Sequence, residues 1–186
     1  RLVDVAIPLG AAVPGELVPL KPGGTEKVTP AALRAMWKVG PLPPVAAVCF
    51  SADGKRLFAG AYGRVSVWDV SAGALTHRLE GVEGSVHELA VGPDGKQLAV
   101  AGGKPGQTGV VVLYDAANPR QPLRKLGDHT DVVYGLAWSP DGKRLATASF
   151  DKTVKVWDVG TGAALATIKD HSAAVLAVAF SPDGKL

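Results

Sequence analysis

Residues 131–158 read DVVYGLAWSPDGKRLATASFDKTVKVWD, and the order of events in them decides the fold. Val132 to Ser139 alternates with period two and favours β-branched and aromatic residues, the pattern of a strand with one buried face. Ser139-Pro140-Asp141-Gly142 then supplies a fixed φ at the proline and a positive φ at the glycine, so the chain turns back on itself. Arg144 to Ser149 returns as a second strand and Thr153 to Asp158 forms a third. Ala163 to Ile168 follows the turn Gly160-Thr161-Gly162 as a fourth. The predicted unit is a four-stranded antiparallel meander.

Working outward, the same unit recurs. Ser51-Ala52-Asp53-Gly54, Gly92-Pro93-Asp94-Gly95 and Ser181-Pro182-Asp183-Gly184 repeat the turn, with successive aspartates 41, 47 and 42 residues apart. Val67-Trp68-Asp69 and Leu113-Tyr114-Asp115 echo Val156-Trp157-Asp158. Asp128-His129 and Asp170-His171 precede the last two units. A meander of this length cannot bury both faces alone, so neighbouring units stack face to face around an axis. The units fall at residues 44–80, 85–127 and 131–169, and a fourth opens at 173.

On these residues the chain resembles the WD40 repeat family over about 44–186, which implies an all-β propeller. The regular Ser-Pro-Asp-Gly-Lys turns are more similar to bacterial WD40 proteins, including the many-repeat planctomycete type. The resemblance implies a tetrad of His, Ser or Thr, Asp and Trp in each complete blade; in the third unit these are His129, Ser149 (or Thr147), Asp151 and Trp157. A buried indole N–H, hydroxyl and imidazole need partners, and a terminal carboxylate satisfies them together. The first two units lack the set: Pro41 and Gly63 stand near the His and Asp positions of the first, and Val82 and Tyr114 replace His and Trp in the second. WD40 rings have more blades than three and a fraction, so a partial ring is expected, present as a fragment of a longer protein whose missing blades are partners of these.

Residues 1–43 hold no repeat, although residues 1–44 contain eight of the fourteen prolines. Thr29-Pro30 predicts the N-cap and first turn of a short helix over 30–39, followed by a Pro-rich linker at 40–44. One reading makes this the tail of an upstream domain, similar to the last helix of the c-type cytochrome-like domain that precedes planctomycete propellers. The other makes Leu2 to Ile7 or Leu17 to Leu20 a strand that closes the ring.

Composition narrows the function. Glycine and proline number 23 and 14 of 186 residues, which disfavours helical bundles, and 47% hydrophobic content excludes a disordered chain. The net charge of +3 is spread over equivalent turns at Lys55-Arg56, Lys143-Arg144 and Lys185, so neither nucleic acid nor membrane is an expected partner. One cysteine, Cys49, leaves the compartment open, and its position matches Ala90, Ala137 and Ala179, a small core site. His129 and His171 fall one per blade without metal-ligand spacing. Gly102 to Gly109 lacks the Gly-Lys-Ser/Thr ending of a phosphate loop and leads into a strand, so it reads as a lengthened hairpin loop. No haem motif is present, and no nucleophile stands beside a base and an orienting group.

The chain therefore reads as a non-catalytic scaffold that binds a protein or peptide and carries no cofactor or metal. The alternative is an accessory propeller of a larger enzyme or c-type cytochrome-like protein. Tyr62, His87, Tyr134 and Phe150 stand at matching strand ends, which the resemblance places on a partner-binding face; inter-blade packing is the competing reading.

Overall fold

The computed structural model describes residues 44–79, 81 and 83–184. Twelve strands follow in order: β1 (Ala47–Phe50), β2 (Arg56–Ala61), β3 (Arg64–Asp69), β4 (Ala74–Leu79), β5 (Ser85–Val91), β6 (Gln97–Lys104), β7 (Thr108–Asp115), β8 (Pro122–His129), β9 (Val133–Trp138), β10 (Arg144–Ser149), β11 (Val154–Asp158) and β12 (Ala164–Ile168). They form three four-stranded sheets, β1 to β4, β5 to β8 and β9 to β12, each an antiparallel meander in chain order. We call these blades 1, 2 and 3. The helix expected at 30–39 and the candidate closing strands lie outside the described residues.

Rows of apolar side chains are buried between blades 1 and 2 and between blades 2 and 3. The row Val91, Leu98 and Tyr114, aligned across three strands of blade 2, packs on Ala47, Cys49, Phe58, Val65 and Val67 of blade 1. The equivalent row of blade 3, Trp138, Leu145 and Trp157, packs on Ala90, Ala99, Ala101 and Leu113 of blade 2. Blades 2 and 3 thus each present a front of large residues to the back of the blade before them. Burial of these rows is the main stabilising term, since apolar area removed from water contributes roughly 25 cal/mol per Å².

The Asp-Gly turns form as predicted, with Gly54, Gly95, Gly142 and Gly184 all at positive φ between 68° and 73°. Ser51 and Ser139 hydroxyls donate to Asp53 and Asp141 at 2.6 Å, and the same carboxylates accept from the amides of Lys55 and Lys143. Blade 2 carries Gly92 at the serine position, with the Trp138 ring 3.6 Å from where a Cβ would stand, an ordinary contact distance. That indole donates to Ala90 O at 3.2 Å.

Two features differ from the sequence reading. The stretch 102–109 is a lengthening of paired strands, with Lys104 opposite Thr108, and its glycines admit neighbouring backbone: a Cβ on Gly102 would lie 1.9 Å from Ser85 O, and one on Gly109 1.9 Å from Asp131 O. The fourth unit supplies no strand from residue 173 onward among the described residues. Its chain runs over the back of blade 3, where Val175 N donates to Ser149 O at 3.0 Å and Arg144 donates to Gly184 O at 2.6 Å, but no ladder pairs it. His171 is exposed among the described residues.

Candidate functional site

One constellation is buried and one is partly exposed. The buried one begins at His129, the last residue of β8, so the strand that edges blade 2 delivers the imidazole to blade 3. His129 Nδ1 lies 2.8 Å from Asp151 Oδ2, and Nε2 lies 2.7 Å from Thr147 Oγ1. Trp157 Nε1 donates to that same oxygen at 2.9 Å. Partner chemistry sets the tautomer: Nδ1–H donates to the carboxylate, and Nε2 accepts from the threonine hydroxyl, which accepts in turn from the indole.

The hydroxyl in this relay belongs to Thr147 and not to Ser149. Thr147 faces Lys155 across the ladder, and Trp157 is the diagonal neighbour two residues on, within reach of a side chain on the same face. Ser149 lies beyond the register shift at Ala148/Ser149 and bonds to the carbonyls of Asp131 and Val132 instead, at 2.9 and 3.1 Å. It also accepts from Asp151 N at 3.1 Å, which sets the loop that carries the carboxylate.

Burial holds the His129 imidazole below its ordinary value, although Asp151 pulls the other way. For Asp151, burial would raise the carboxyl, but the Thr153 hydroxyl, His129 and Thr130 N–H together hold it below the ordinary range. The pair is therefore a neutral imidazole on a carboxylate. In blade 2, Tyr114 takes the tryptophan place and is fully buried, its phenol pushed up to about 12. Cys49 is half-buried against the core of blades 1 and 2, with its thiol raised to about 11 by burial and by Glu88. A thiol so raised is a poor nucleophile at neutral pH.

The partly exposed constellation lies at the opposite end of the strands from the Asp-Gly turns. The ladder between β5 and β6 shifts register between Val86 and Glu88, leaving His87 as an extra, unpaired residue. The ladder between β9 and β10 shifts between Val133 and Gly135, which leaves Tyr134 in the same state. Bulges of this kind turn a side chain out of the alternation, and here they bring the two rings together with centroids 4.4 Å apart. The Phe150 ring continues the run at 6.0 Å from Tyr134 and is 51% exposed. His87, Tyr134 and Phe150 form a ledge across blades 2 and 3.

Tyr62 is exposed on the corresponding loop of blade 1, where its backbone bridges to Ser85, but it makes no ring contact with the ledge. The sequence placed these four residues at matching strand ends without signalling the bulges. Among the described residues no cluster of three or more His, Cys, Asp or Glu groups stands close enough to hold a metal ion.

Comparison with known proteins matches the stacked meanders to one family. The profile of the WD domain, G-beta repeat, covers residues 39–69, 120–158 and 162–186, just over half of the chain. The chain belongs to the WD40 repeat family. It is 38% identical over 96 residues to the Target of rapamycin complex subunit wat1 of Schizosaccharomyces pombe, covering 51% of this chain and 29% of that protein. It is 30% identical over 121 residues to Protein LST8 homolog of Drosophila melanogaster, covering 61% and 37%. Among solved structures, a protein of the structure titled Mitotic Checkpoint Complex superposes with a TM-score of 0.66 at 29% identity, over 75% of this chain and 41% of that one. The WD40 chain thus spans well under half the length of these relatives. Their fold is that of the three blades described above, front packed on back.

Proposed function

We propose that these WD40 blades act as a non-catalytic scaffold that binds a protein or peptide on the ledge formed by His87, Tyr134 and Phe150. The observation that carries this reading is the pair of equivalent bulges, which spends two ladder positions to hold rings in contact at the rim. Aromatic side chains offer large contact area at small entropic loss, the property of binding hot spots. Packing alone does not account for a phenylalanine left half in solvent beside them. Tyr62 extends the same rim on blade 1. The relative named as a complex subunit supports a binding role, and the regular Ser-Pro-Asp-Gly-Lys turns support a bacterial source of the planctomycete kind.

The test uses peptides selected from a random display library on the wild-type chain. Binding should fall tenfold or more for Tyr134→Ala and Phe150→Ala, with unchanged melting, and stay constant for Lys143→Ala on the opposite end. Loss only with Lys143→Ala moves the site to the turns.

A further inference from the structure

The hairpins that join the second and third strands of the three blades each turn through one left-handed residue. In blades 1 and 2 it is Gly63 and Gly106, both at φ 66°, a conformation that glycine adopts freely because it has no Cβ. In blade 3 it is Lys152, at φ 71°, and among the described residues no other non-glycine residue has a positive φ. A side chain disfavours this region, so glycine would suit the turn better than lysine does. Residues held in such conformations gather at functional sites. The packing of the blades does not account for the lysine: it is exposed, and its ammonium has no hydrogen-bond or ion-pair partner among the described residues. Lys152 belongs to the same turn as Phe150, two residues further along, so the departure from glycine falls at the end of the ledge.

We infer that Lys152 determines specificity at the ledge, and that the peptide seated there carries an aspartate or glutamate beside its apolar anchor. The inference rests on the ledge reading above. Tyr134 and Phe150 offer ring surface to the anchor, and Lys152 offers a compact charge with three donors on a flexible stem, which suits a carboxylate. Carboxylates of the chain itself do not neutralise it. On the connections that border the ledge, Glu83 pairs with Lys104 at 3.2 Å, and Asp131 accepts from the amides of Gly106 and Val132 at 2.9 and 2.7 Å. Asp151, next to the lysine, turns inward to His129, Thr130 N and Thr153. Glu88, beside His87, is partly buried, and burial raises its carboxyl. A cation at the end of an aromatic run therefore selects by charge what the rings hold by area.

The test takes peptides selected on the wild-type chain from a random linear library, keeps those whose binding is lost with Phe150→Ala, and measures them on Lys152→Gly and Lys152→Gln. The peptides kept should be enriched in aspartate or glutamate beside an apolar residue. Either variant should weaken them about fivefold, the upper end for one exposed ion pair. Changing the peptide's acidic residue to its amide should cause the same loss, and no further loss should follow when both partners are changed. Lys152→Gly should melt no earlier than the wild type, since glycine suits the left-handed turn. Peptides that need Phe150 but show no acidic preference, or bind Lys152→Gly as tightly as the wild type, overturn the inference and leave the ledge standing. Earlier melting of Lys152→Gly makes the lysine a residue of the fold and overturns it as well. If no selected peptide depends on Phe150, the ledge and the inference fail together.

Discussion

His129 ends the outer strand of blade 2 and bonds Asp151 of blade 3 at 2.8 Å, so the buried relay fastens two blades together. Its cost if broken is that of leaving buried donors unpaired, and the geometry says which side chains carry it.

Thr147→Val keeps shape and removes the oxygen that both Trp157 Nε1 and His129 Nε2 use. An unpaired buried polar group costs about 1–3 kcal/mol, so urea unfolding should show a loss in that range, with Thr147→Ser recovering most of it. Trp157→Phe should cost less on the Thr147→Val background than alone, since the shared bond is already gone. Additive losses would contradict the relay.

The imidazoles of His77, His87 and His129 are each held below the ordinary value, by burial in the first place. Between about 6.5 and the lower folded values, the unfolded chain therefore binds more protons than the folded one. Stability is fully present above about 6.5 and falls as the pH drops through that window. The urea midpoint should be lower at pH 5.5 than at pH 7.5, and His129→Gln should reduce the difference. A flat midpoint would mean that the imidazoles are not held neutral.

Blades 2 and 3 are also joined at their outer edge, where Arg124 donates to Thr161 O and Gly160 O, both at 2.7 Å. Arg124→Met keeps the stem and removes the charged donors. Exposed pairs of this kind contribute about 1 kcal/mol or less, so the expected loss is small and is compared with that of Thr147→Val. An equal loss would place the inter-blade coupling at the edge rather than in the relay.

Blade 3 was legible because period-two alternation, a Pro-Asp-Gly turn and a Trp-Asp ending agree within 28 residues. The tetrad was legible to within one residue choice. Thr147 and Ser149 share strand parity, so alternation places both on the same face, and only the cross-strand register separates them. The bulges at His87 and Tyr134 left no mark, because Val-Val-Tyr-Gly-Leu reads equally well with or without an extra residue. Gly102 and Gly109 read as loop residues because their cause is tertiary: the carbonyls of Ser85 and Asp131 pass where a Cβ would stand. Likewise β8 runs on through Gly127 to His129, where the alternation breaks, since its last residue is held by blade 3 as well as by the ladder.

The ledge is tested most directly by amide hydrogen exchange on the chain with and without a peptide selected to bind it. Binding at the ledge predicts added protection at residues 85–88, 130–134 and 149–153, with residues 53–56, 94–97 and 141–144 at the opposite strand ends unchanged. Protection confined to those Asp-Gly turns would contradict it.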